Sequence, residues 1–272
     1  MPDSKLPLGQ DSAYPCTYSP GLLFPIARSD AREGIGIGAD LPFRGTDVWN
    51  AWELTWLGPA DRPAVATAEI RVPADSANLI ESKSLKIYLN SFSMSQFDSA
   101  SSVADTIAAD LTTCAGAPIE VRVTPVGETE NGSIATLAGT CIDSTQVQFS
   151  CWEVDAGLLR ADDNDIVTEV LHSHLLRSQC PVTSQPDTGS LQISYRGPRI
   201  TPESLLLYIV SFRQHMDFHE ACVERMFVDI AQHCKVDRLS VYARYQRRGG
   251  IDINPFRSNY EDCPGNPRLW RQ

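Results

Sequence analysis

The chemistry in this sequence starts with Cys180, which is followed by Pro181, and with Asp187, which is preceded by Pro186. The two prolines stiffen the loop at both ends and can hold a thiol and a carboxyl at one spot. A thiolate is a strong nucleophile, and a nearby carboxyl can deliver a proton to a developing anion. The same residues also describe a plain turn, with a buried cysteine and an aspartate bonded to its own backbone. Taken alone, they favour that second account.

A second group lies in DFHEACVERMF (217–227). His219 and Glu220 fall in the first turn of an expected helix, where the dipole favours a carboxylate. Glu220 could accept two N–H bonds from a guanine-like edge. Asp217 and Glu220 also have the spacing of a capping box, and by themselves favour a structural cap. In ESKSLK (81–86), Ser82, Lys83 and Ser84 place free backbone N–H groups, hydroxyls and an ammonium at a helix start. That is either an anion site or an ordinary solvated cap. RRGG (247–250) could hold a phosphate closely, or be a hairpin turn with solvated charges.

Two further patterns are set aside. GIGIGAD (34–40) lacks the G-x-G-x-x-G spacing and has no strand leading into it, so it is read as a loop and not as a dinucleotide-binding turn. His172, His174, His219, Cys222, His233 and Cys234 show no zinc-finger spacing and no H-E-x-x-H. No metal is expected.

The elements that must position these residues come in two sets. Leu85, Tyr88, Ser91, Phe92 and Cys114 recur 120 residues later as Leu205, Tyr208, Ser211, Phe212 and Cys234. Leu85, Tyr88, Leu89 and Phe92 sit at i, i+3, i+4 and i+7 of a helix, as do Leu205, Tyr208, Ile209 and Phe212. Thr201-Pro202 is a good start for the latter. A second helix is expected at 103–111 in one set and at 218–233 in the other. Alternating runs at 67–73, 119–123, 190–196 and 239–245 read as strands. Strands before and after a helix pair imply an α+β fold, an antiparallel sheet with helices on one face. The seam is expected between about Cys151 and Asp165, where the chain turns polar at ADDND. That gives modules at 1–155 and 156–272.

The chain has 272 residues and a formal net charge of −11, a balance that argues against a polyanion-binding surface. No run approaches the ~20 apolar residues of a membrane span, and Met1–Gln10 has no apolar leader core. The eight scattered cysteines are read as reduced thiols, and the location as cytoplasmic.

Taken together, ESKSLKIYLNSF, CPVTSQPD, VSFRQHMDFHEACVERMF and YARYQRRGGIDINPFRSN resemble the NADPH-dependent 7-cyano-7-deazaguanine reductases of queuosine biosynthesis, in their long two-module form. The similarity extends to YSPGLLFPIARSD and LPFRGTDVWNAWELTWL near the start. The resemblance implies tandem tunnelling-fold modules, related to GTP cyclohydrolase I, and a homodimer. It implies that Cys180 attacks a nitrile carbon to give a thioimide, with Asp187 as proton donor and NADPH as hydride source. Ile80, Glu81, Ser82, His219 and Glu220 match substrate-binding positions, and Ser82, Lys83, Arg248 and Gly249 match NADPH positions. The partner is then a small deazapurine nitrile, with no direct nucleic acid and no membrane. Two other readings stand beside it: a zinc-dependent cyclohydrolase-like enzyme of the same fold, and a non-catalytic purine-binding module.

Overall fold

A computed structural model of the chain describes residues 14–128, 133–263 and 265–272. The reading of residues 1–10 as lacking a leader lies outside the described residues. In chain order the first elements are β1 (Pro25–Ala27), α1 (Arg28–Glu33), β2 (Arg44–Leu57), β3 (Pro63–Pro73), β4 (Asn78–Ile80), α2 (Ser82–Asn90), α3 (Ala100–Ala115) and β5 (Glu120–Pro125). There follow β6 (Thr140–Cys141), β7 (Ala161–Gln179), β8 (Pro186–Ile200), α4 (Pro202–Ser211), α5 (His219–Cys234), β9 (Arg238–Tyr245) and β10 (Ile251–Ser258). The fold is α+β, with strands paired mostly antiparallel. Among the described residues no helix is long and apolar enough to cross a membrane.

The chain divides into two compact units. The first comprises Met1–Asp30, Asp47–Ser133 and Arg247–Asp252. Here β3 pairs antiparallel with β5, and the short β1 with β4. Along β3, Ala66, Ala68, Ile70 and Val72 alternate into the core, as a half-buried strand requires. The expected helical stripe forms α2, which buries Leu85, Tyr88 and Leu89. In α3, Ser99 and Ser102 cap each other reciprocally, and Gly116 ends the helix at φ 72, the left-handed conformation glycine adopts freely.

The second unit comprises Ala31–Thr46, Ile134–Gln246 and Ile253–Gln272. Its strands run in the order β10–β9–β8–β7–β6. All neighbours are antiparallel except the short parallel pair β6–β7. Helix α5 buries Val223, Met226, Phe227 and Ile230 and packs on β8 and β9. The polar run at 161–165, expected to be a linker, is instead the start of β7. Its acids are tolerated in a strand because they stay at the surface, where cations also meet them: Arg199 donates to Asp165 at 2.6 Å, and Lys235 Nζ lies 3.3 Å from Asp163.

The two units repeat internal details. Tyr88 donates its hydroxyl to Asp110 at 2.6 Å, tying α2 to α3; Tyr208 donates to Asp229 at 2.7 Å, tying α4 to α5. Ser91 and Ser211 each donate to the carbonyl of that tyrosine, both at 2.6 Å. Tyr18 adds a second phenol to Asp110 at 2.8 Å.

Candidate active site

Strand β7 runs straight into Cys180, and β8 leaves from Pro186, so the thiol sits at the tip of a long hairpin. The turn is closed twice: Cys180 N–H donates to Gln185 C=O and Ser184 N–H donates to Cys180 C=O, each at 2.9 Å. Ser184 takes a left-handed φ of 55 to complete it. Pro186 opens β8 opposite Gln179, and Asp187 lies opposite Ser178 in the next rung. Both chemical residues are shielded, Cys180 at 6% exposure and Asp187 at 3%.

The first turn of α5 meets this hairpin. His219 Nε2 lies 3.7 Å from Asp187 Oδ1. The same imidazole stands edge-on to the ring of Tyr245, with centroids 4.0 Å apart and planes at 89°. Glu220 is buried. The expected capping box does not form. The N-cap is Phe218, one residue late for that motif, and Asp217 N–H donates to Gln179 C=O while its carboxylate accepts from Phe218 N–H.

Tyr245, from the end of β9, and Cys222, on α5, are both fully buried. Burial chiefly pushes each far above its ordinary pKa. Cys222 is raised further by Asp217, Asp187 and Glu220, and Tyr245 by Cys222, Asp187 and Glu220. Cys222 therefore stays a thiol, and a buried thiol is inert. The hydroxyls of Tyr245 and Ser178 are buried with no hydrogen-bonded partner among the described residues; Ser178 lies close to Cys222 and Tyr245 but out of bonding geometry with both. Buried hydroxyls are normally satisfied, so two orphans at one spot suit a ligand with polar edges. Neither residue stood out in the sequence, where each is an ordinary polar residue within a strand.

One turn beyond Glu220, Glu224 anchors α5. Its carboxylate accepts Arg32 Nε and an Arg32 terminal nitrogen, both at 2.8 Å. It also accepts Arg257 Nε at 3.0 Å and a terminal nitrogen at 2.8 Å. Both guanidiniums lie over the Phe43 ring, at 5.8 and 5.5 Å. Buried charges persist only when paired and bonded in this way. These contacts fix the helix whose first turn carries His219 and Glu220.

The remaining candidates belong to the first unit. Ile80 ends β4, buried, and Glu81 is the N-cap of α2. The Glu81 carboxylate accepts Lys83 N–H at 2.9 Å and Ser84 N–H at 2.7 Å. The sequence left these amides as either an anion site or an ordinary cap; the chain's own carboxylate occupies them. RRGG is a hairpin turn, with Arg248 N–H donating to Ile251 C=O at 2.8 Å and Gly249 and Gly250 at φ 63 and 82. Positive φ at both central positions is what a type I′ turn demands. The turn touches α2: a Cβ on Gly249 would stand 3.2 Å from Lys86 Cδ and 3.6 Å from its Nζ. Ser82, Lys83, Arg248 and Gly249 thus fall in one unit, with Lys86 beside them. Cationic side chains and a Cβ-free approach suit a phosphorylated cofactor, held by those side chains and not by the α2 amides.

Cys180, Asp187, His219 and Glu220 are therefore assembled in the second unit, and Ile80, Glu81, Ser82, Lys83, Arg248 and Gly249 lie in the first. Among the described residues, one trio of metal-ligating side chains is close enough to share an ion: Cys141, His172 and His174. GIGIGAD lies in the turn and loop after α1, with no strand leading into a helix there.

Residues 14–123 match the family described as nitrile reductase, 7-cyano-7-deazaguanine-reductase N-term. Residues 186–263 match the family described as QueF-like protein. A protein of Azoarcus sp. (strain BH72) named NADPH-dependent 7-cyano-7-deazaguanine reductase is 53% identical over 257 residues, which cover 94% of this chain and 91% of the relative.

Proposed function

The chain belongs to the 7-cyano-7-deazaguanine reductase family, and on that premise we propose that it reduces the nitrile of 7-cyano-7-deazaguanine to the aminomethyl group, with Cys180 as covalent nucleophile. The observation that carries this reading is the hairpin: it holds Cys180 at its tip, Asp187 in its second rung and His219 against that carboxyl. Cys180 Sγ adds to the nitrile carbon, and Asp187 gives a proton to the nitrogen, so a thioimide forms with no atom lost. NADPH, when bound, supplies the hydrides, two per nitrile. Between the two reductions the Cys180 sulfur leaves and an imine remains, which the second reduction converts to the amine. Burial of Cys180 and Asp187 keeps water from hydrolysing the thioimide.

Recognition of the base falls to Ile80, Glu81, Ser82, His219 and Glu220. Glu220 suits the donor edge of a guanine-like ring, and the orphan hydroxyls of Ser178 and Tyr245 add polar groups beside it. Ser82, Lys83, Arg248 and Gly249 hold the cofactor's phosphates. The repeated Tyr88–Asp110 and Tyr208–Asp229 bonds support a tandem duplication with modules at 1–155 and 156–272. In this reading both modules have the tunnelling fold, and the enzyme is a cytoplasmic homodimer that acts on the free base, with no nucleic acid or membrane partner.

The direct test is loss of NADPH absorbance when the purified protein meets the nitrile base. Two NADPH consumed per amine formed is the expected result. No consumption by folded protein at saturating base and cofactor overturns the reading.

A further inference from the structure

Away from the thiol at the hairpin tip, the second unit brings Cys141, His172 and His174 together. One ligand atom from each lies within 4.8 Å of the others. The backbone explains why. His172 and His174 are two residues apart on β7, so their side chains leave the same face. The short strand β6 pairs parallel with β7 in the register Cys141↔His172, which sets the cysteine directly beside the first histidine. The two imidazole ring centroids lie 5.3 Å apart.

The segment is pinned in this register. Ile142 N–H donates to His172 C=O at 2.9 Å. Asp143 accepts the Ser173 hydroxyl at 2.6 Å and the His174 N–H at 3.0 Å. Gly139 has φ 86, and a Cβ there would stand 2.1 Å from Val170 C=O, so only glycine lets the chain lie this close to β7.

The histidines are also oriented. A carbonyl can only accept, so in the neutral ring the contact of 3.1 Å between His172 Nδ1 and Ala138 C=O puts the proton on Nδ1 and the lone pair on Nε2. His174 Nδ1 meets Ser190 Oγ at 2.8 Å. Ligand histidines bind metals in this way, one nitrogen held by a neighbour and the other turned to the ion.

We propose that Cys141, His172 and His174 form a structural site for one divalent ion of the zinc class, with water in the fourth position. A thiolate and two imidazoles are a borderline-soft set that suits zinc and its tetrahedral substitutes, not magnesium or calcium. At ordinary zinc–sulfur and zinc–nitrogen lengths, tetrahedral ligands lie about 3.3–3.6 Å apart. Closing from the present spacing takes roughly an ångström, which side-chain rotation provides. The ion would clamp the edge strand β6 onto β7, the strand that leads to Cys180.

The test uses full-length reduced protein, stripped with a chelator, desalted and titrated with Co2+. The expected result is one equivalent bound with intense tetrahedral d–d bands and a thiolate-to-cobalt charge-transfer band, both abolished by Zn2+. Cys141 and His174 are exposed, so Cys141→Ser and His174→Gln should fold normally. Cys141→Ser should lose the charge-transfer band, and each variant should bind at least about tenfold more weakly, a loss of about 1.4 kcal/mol. Zn2+ should raise the melting temperature of the parent and not of either variant. A charge-transfer band kept in Cys141→Ser would place the ion on another thiol and overturn the proposal. So would a weak, octahedral cobalt spectrum in the parent.

Discussion

His219 Nε2 lies 3.7 Å from Asp187 Oδ1, and the same ring rests edge-on against Tyr245. A residue read from the sequence as a base contact thus stands against the proposed proton donor. Flanked by the carboxyl and the phenol ring, the imidazole is placed to orient Asp187, in the proposed reading, as well as to meet the base.

His219→Ala should therefore lower kcat as well as raise KM. Stopped-flow measurement of thioimide formation at saturating base reads the first effect. A normal rate at saturation, with only KM raised, would reduce His219 to a base contact.

Incubated with the nitrile base alone, the protein should gain the mass of one whole substrate molecule per chain, mapped to Cys180. Nothing is expelled when a thiol adds across C≡N, and without NADPH the adduct has no reductive exit. Asp187→Asn should slow adduct formation by about 10²–10⁴-fold, the usual contribution of a positioned acid. Modification of Cys222 instead would contradict the burial that keeps it a thiol.

Glu220→Ala should weaken binding of the base by about 2–4 kcal/mol, counting the ligand donors left unpaired. A purely structural role for the buried Glu220 carboxylate would cost stability and leave affinity unchanged. Calorimetric titration beside a melting curve separates the two.

Lys83→Ala and Arg248→Ala should each raise the KM for NADPH more than that for NADH, because in the proposed reading both meet the extra phosphate. Equal effects on the two cofactors would remove the specificity role.

The phenol contribution to stability should be complete up to about pH 10 and be lost as pH rises toward 12. Burial first, and then the neighbouring Asp110 carboxylate, push the Tyr18 phenol up to about 12, and Tyr88 is raised for the same reasons. The folded pKa exceeds the unfolded one, so the contribution is complete below pH 10 and lost as the unfolded phenol ionises first. Denaturant melts from pH 8 to 12, compared with Tyr18→Phe, check this: the variant should lose less stability across that range.

The helices that carry the site were legible because their apolar residues recur at the helical period, and Leu85, Tyr88 and Leu89 are buried as that period requires. The start of β7 was not, because ADDND looks like a linker until Arg199 and Lys235 are seen opposite it. Cys180 and Asp187 lie seven residues apart, and a turn between them could be read locally. Glu224 could not: its partners Arg32 and Arg257 are 192 and 33 residues away. The capping pattern at Asp217 misled because Gln179, from another strand, takes the N–H that the motif assigns to Glu220.

The Glu81 cap ties two events to one carboxylate. Any ligand group that draws this side chain away must release the Lys83 and Ser84 amides it now holds. Occupancy and fraying of the α2 end then share a free energy, and by reciprocity whatever loosens that end alters affinity by the same factor. Deuterium uptake at those two amides becomes a local gauge of occupancy, readable in the unit that does not contain the thiol.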